Sequence, residues 1–177
     1  MKHFVLAAAL LSGAAAQAQP VAFPEPIARA SAGDIQCYMP DLRRKICWTT
    51  TRYRRTQKGG IEMVTLTVVG RNGTMEVTEP VEVKDNKVCS VIQRSQLDAA
   101  TFVMPDGKPA DAAQAQKLRE LVGRDVGKYF GHLMCTAYED LGHNFVATQT
   151  LDGERIDPRE VIPVIWVRAD EGYQVRP

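Results

Sequence analysis

Along residues 46–53 and 61–69 the chain favours Thr, Val, Ile and aromatic residues in the pattern of two β-strands. Arg71-Asn72-Gly73-Thr74 follows, and Asn-Gly is the pair best suited to the left-handed backbone of a tight hairpin, so 75–78 is the predicted return strand. Pro80 cannot donate to a sheet ladder and predicts an edge or a break. Segments 81–84 and 88–93 then flank a turn at Asp85-Asn86-Lys87, and the first half of the chain reads as a β-meander.

After Pro105-Asp106-Gly107 the apolar period lengthens: Ala115, Leu118, Leu121 and Val122 recur at spacings of three and four, which predicts the main helix. Pro109 suits a first helical turn and Asp111 is favourable near the helix N-terminus. Gly123, Gly127 and Gly131 each weaken a helix by about 1 kcal/mol relative to Ala, which sets its end between 122 and 130. Ser95-Gln96-Leu97-Asp98 has capping-box spacing and predicts a shorter helical turn. Strand signals return at 133–138, 145–151 and 161–167, with turns at 141–144, 152–154 and 170–172. Residues 19–33, with Pro20, Pro24 and Pro26, read as an extended lead-in. The expected fold over 34–177 is a single α+β domain: a twisted antiparallel sheet of meander and hairpins, one principal helix packed on a face, and two disulfides.

Composition narrows the function classes more than it names one. The 177 residues carry 22 Lys and Arg against 21 Asp and Glu, so the basic excess of a nucleic-acid binder is missing and no such partner is expected. Residues 1–18 combine Lys2, an apolar run from 4 to 11 and an Ala16-Gln17-Ala18 cleavage site, the pattern of a signal peptide. The run is interrupted by Ser12 and Gly13, short of the roughly 20 apolar residues of a membrane span. The expectation is an exported protein, periplasmic or extracellular, with no transmembrane segment in the mature chain. Cleavage removes Lys2 and leaves 21 positive against 21 negative side chains.

Export changes how the cysteines are read. Cys37, Cys47, Cys89 and Cys135 form an even set with no C-x-x-C spacing, which favours structural disulfides. Pro40-Asp41 can turn the chain between the first two, so Cys37–Cys47 is the expected local bridge and Cys89–Cys135 the long-range one.

Candidate chemistry is sparse. Beyond the leader the serines are Ser31, Ser90 and Ser95, none within G-x-S-x-G, and the histidines are His132 and His143, with no H-E-x-x-H spacing. No metal and no cofactor are expected. The cluster that best fits acid–base work is Glu139, Asp140 and His143, where a hairpin tip can bring two carboxylates close to an imidazole. The same residue types also simply make turns. Charge asymmetry says more: Arg43, Arg44, Lys45, Arg52, Arg54, Arg55 and Lys58 form a basic ribbon with Trp48 and Tyr53 interleaved, and Glu76, Glu79, Glu82 and Asp85 form an acidic counterpart. The ribbon suits an anionic envelope component or an acidic protein. Equally, if the 61–69 strand lies between the two sets, they balance within the molecule. The leading expectation is an exported, non-catalytic binding or interaction module. A small envelope hydrolase or lyase using His143 with Glu139 or Asp140, and a structural envelope protein, are the alternatives.

Overall fold

A computed structural model of the chain describes residues 22–70, 73–142, 144–157 and 160–176. The expected leader, 1–18, lies outside the described residues. The remainder forms a closed antiparallel β-barrel of eight strands, which corrects the α+β sheet expected from the sequence. Around the wall run β1 (Ile35–Tyr38), β3 (Thr49–Arg55), β4 (Ile61–Val68), β5 (Thr74–Lys84), β6 (Lys87–Val91), β8 (Leu133–Asp140), β9 (Phe145–Leu151) and β11 (Ile162–Val167). Closure rests on two seams: β8 pairs with β9 from Met134↔Leu151 to Asp140↔Phe145, and β1 joins β3 on one side to β11 on the other. The short strand β7 (Thr101–Val103) pairs with the start of β5, and β10 (Glu154–Arg155) extends β9. Outside the wall, β2 (Ile46–Cys47) and β12 (Gln174–Val175) make a parallel pair.

The meander and its turns follow local chemistry. Asp85 and Asn86 both take positive φ between β5 and β6, as do Asp152 and Gly153 after β9, the backbone that a two-residue hairpin needs. At 69–73 the connection is longer than the expected Asn-Gly turn: Val68 pairs with Thr74, and the Val69 N–H donates to the Gly73 carbonyl at 2.9 Å. Arg71 and Asn72 lie outside the described residues. A Cβ on Gly73 would collide with the Val103 carbonyl where β7 crosses, so the close approach of two backbones requires glycine there. Pro80 does not break β5, which runs unbroken from 74 to 84. It faces Glu62 of β4, while on the other edge the ladder with β7 ends at Glu76 and that with β6 begins at Glu82. The missing N–H therefore falls in a local gap of the wall, where it costs no ladder bond.

The main helix appears as α2 (Ala112–Val126), capped by Asp111, whose carboxylate accepts from the Gln114 N–H while Gln114 reaches back to the Asp111 N–H. A 3-10 turn, Gly127–Tyr129, ends it. The short helix α1 (Arg94–Ala99) uses Gln93 and Gln96 for its capping box, two residues earlier than Ser95 implies. Both helices sit over one end of the barrel, where Leu97, Phe102, Leu118 and Val69 are buried together. At the opposite end the segment read as an extended lead-in folds into a 3-10 turn, Ala28–Ala32, and plugs the barrel with Ile27, which is fully buried against Tyr53, Ile61, Val88 and Trp166. Both expected disulfides are present. Cys37–Cys47 ties β1 to β2 inside an outer cluster with Val167, and Cys89–Cys135 joins directly opposed residues of β6 and β8. Among the described residues no helix is long and apolar enough to cross a membrane.

Candidate functional site

Strand alternation decides which side chains enter the barrel. On β5 the inward positions are Met75, Val77, Glu79, Val81 and Val83, four apolar residues and one carboxylate. Opposite them stand Met63 and Thr65 of β4, followed by Thr49, Thr51 and Tyr53 of β3. Across the barrel, Met134, Thr136 and Tyr138 of β8 face in, with Val88 and Ser90 of β6 and Gln149 of β9. These walls and the undersides of α1 and α2, through Leu97, Val122 and Val126, border a cavity of about 440 Å³ that is partly open to solvent. Eight strands make the narrowest barrel whose interior can hold one small ligand instead of being filled by its own side chains. Met39, Trp48 and Gln93 are the exposed members of the lining and mark where the cavity meets solvent.

Its floor is a hydrogen-bonded tyrosine cluster. The Tyr53 and Tyr38 hydroxyls donate to Gln36 Oε1 at 2.9 and 3.0 Å, and the Tyr138 hydroxyl lies 2.5 Å from that of Tyr38 and 3.3 Å from Gln36 Oε1. Gln36 is completely buried, so one amide oxygen satisfies hydroxyls from three strands. Burial raises the pKa of all three phenols, and at Tyr38 and Tyr53 the charge of neighbouring tyrosines raises it further. They stay neutral donors throughout the ordinary pH range.

Among the described residues Glu79 is the only Asp, Glu, Lys, Arg or His in the cavity lining. Burial raises its pKa, and a hydrogen bond from the Ser90 hydroxyl works in the opposite sense. A carboxyl whose pKa is higher folded than unfolded binds more protons in the native state. Its contribution to stability is therefore complete below the unfolded value and is lost as pH rises through the folded one. Glu79→Gln is accordingly expected to raise the melting temperature at neutral pH, with the difference from wild type closing as pH falls towards about 4, the ordinary glutamate range. Melting curves of both proteins across that interval check it.

The basic ribbon is spread over three regions. Arg43, Arg44 and Lys45 lie in the loop after β1, and Lys45 Nζ donates to the Glu171 carbonyl at 2.9 Å. Arg52 and Arg54 point outward from β3 and pair with Glu76 at 3.1 Å and Glu62 at 2.7 Å. Exposed pairs of this kind contribute roughly 0.2–1 kcal/mol each. Arg55 donates to the Ala22 and Gly59 carbonyls and covers the Phe23 ring, and Lys58 sits in the β3–β4 turn at the plugged end. Tyr53 turns inward, away from its charged neighbours.

Glu139 and Asp140 end β8 at the plugged end of the barrel, and the Asp140 carboxylate accepts from the Gly142 N–H. His143 lies outside the described residues. His132 Nδ1 rests 2.6 Å from the Asp152 carboxylate, which also accepts from the Leu133 N–H, an exposed clip between β8 and the β9–β10 turn. Among the described residues no three His, Cys, Asp or Glu side chains converge as metal ligands.

Reading the residues alone missed the cavity, although β5 carried one usable signal. Its alternation places Glu79 on the apolar stripe, unlike Glu76 and Glu82 on the polar one, and a charge on the buried face of an amphipathic strand marks a special position. No family model, no curated protein and no solved structure matches the chain.

Proposed function

We propose that the protein is an exported, non-catalytic binding module whose ligand is a small, mainly apolar molecule held inside the barrel. The observation that carries this reading is the cavity of about 440 Å³, within the 300–1,000 Å³ usual for small-molecule sites. Protein interiors are ordinarily packed with few voids larger than a water molecule, so a cavity of this size forgoes contacts that a purely structural barrel would make. Met63, Met75 and Met134 suit an adaptable apolar wall, since the thioether side chain repacks readily. The two disulfides fit a working place outside the reducing cytosol, the periplasm or the extracellular space. Trp48 and Met39 at the opening supply apolar surface for entry.

Titration with Nile red, an uncharged apolar dye, tests the reading. Wild type is expected to bind saturably with one site. Thr65→Trp and Val77→Trp, each filling the cavity from a different strand, are expected to bind at least about tenfold more weakly, a difference of 1.4 kcal/mol. Near-UV circular dichroism selects the variant that keeps native packing. Absence of saturable binding to wild type, or equal binding by a folded filled variant, overturns the proposal.

A further inference from the structure

The chemistry of the cavity narrows the ligand class, on the reading that the barrel interior is the binding site. Glu79 projects from β5 into a lining that holds no Lys, Arg or His, and it forms no ion pair among the described residues. Its cross-strand partner is Met63, its neighbours along the same face are Val77 and Val81, and Ser90 faces it from β6. The other titratable groups of the interior are all tyrosines: Tyr53, Tyr38 and Tyr138, which are held neutral on β3, β1 and β8, and Tyr129 in the 3-10 turn after α2. An isolated carboxylate in such surroundings is costly unless a cation joins it. Among the described residues the cavity lining supplies no such cation. Trp48, exposed at the opening, adds an indole ring on which a cationic headgroup is also favourable.

We infer that the cavity is selective for a cationic amphiphile, an apolar molecule bearing a protonated amine that pairs with the Glu79 carboxylate. An anionic amphiphile of the same size is rejected, because its headgroup would meet Glu79 with no cation to offset the repulsion. Burial raises the Glu79 pKa and a bound amine favours its charged form, so the amine is expected to bind more tightly at about pH 8 than at about pH 5, with its own charge kept at both.

Octylamine, octanol and octanoate share one tail and differ in headgroup charge. Calorimetric titration of each into wild type and Glu79→Gln at the two pH values separates the headgroup term from the tail. Octylamine is expected to bind wild type at least about tenfold more tightly than octanol at the higher pH, with octanoate weakest. In Glu79→Gln the amine should lose that advantage while octanol binding is kept. Equal affinity of wild type for amine and alcohol, preference for octanoate, or an amine preference that survives in Glu79→Gln overturns the inference and leaves the apolar site standing. If none of the three probes binds, and Nile red does not bind either, the site itself fails and the inference with it.

Discussion

Gln36→Leu is expected to lower the stability of the fold by about 2–3 kcal/mol, although leucine nearly matches glutamine in size and Gln36 makes no contact with solvent. The loss comes from the hydroxyls it leaves behind. Tyr53 loses its partner at 2.9 Å and retains only a 3.5 Å approach to Tyr138, whereas Tyr38 and Tyr138 keep their mutual bond at 2.5 Å. One buried donor is thus left with a single long contact and the other two are partly served. Because the penalty belongs to a stranded hydroxyl, adding Tyr53→Phe to Gln36→Leu should return about 1 kcal/mol, while Tyr53→Phe alone should destabilise. Urea unfolding of the two single variants and the double variant measures the coupling. Simple additivity would show that Gln36 acts through packing instead.

Replacing both Cys89 and Cys135 by Ala is expected to cost about 4 kcal/mol. The chain-entropy relation gives about 3 for a 15-residue loop and about 4.7 for a 100-residue one. The bridge closes a separation of 46 residues that contains both helices and β7. The loss should appear as a lower unfolding midpoint, and excess reductant, which also opens Cys37–Cys47, should bring wild type at least that low. The two residues stand directly opposite each other in the β6–β8 ladder, and their neighbours Val88, Ser90, Met134 and Thr136 face the interior. Removing the bridge should therefore leave Nile red binding intact at temperatures where the variant is still folded. A fall in stability well under 1 kcal/mol would mean that the unfolded chain is already confined in this region.

Most local structure was legible in the sequence. The strands at 61–68, 145–151 and 162–167, the helix stripe of Ala115, Leu118, Leu121 and Val122, and both cysteine pairs follow from period, turn chemistry and parity. What escaped was closure. β1 is four residues long, with Gln36 on its inner face and Cys37 on its outer one, so it presents neither the length nor the alternation of a strand. Without it, β3 and β11 have no common neighbour and the sheet appears open. The helix was then assigned to a sheet face because an open sheet offers one, whereas a closed wall leaves only its ends to cover. Pro80 misled for a related reason: a proline inside a wall strand is tolerable only where the ladder on one side is interrupted, and that interruption is tertiary. The same limit concealed the site. Thr, Met and a single Glu on inward positions amount to a cavity only once eight strands have been wrapped around them.

The seam between β1 and β11 pairs Ile35 with Val167, residues far apart in the sequence. A ribosome or a translocation channel delivers Ile35 well before Val167, so the wall stays open until β11 has emerged. Contacts of such long sequence range make folding slow, on the millisecond-to-second scale typical of β-rich domains. During that interval the outer edges of β1 and β9 are unprotected and can recruit other chains. A gene fragment ending before residue 162 would make this exposure permanent, and its product should aggregate where the full chain stays in solution.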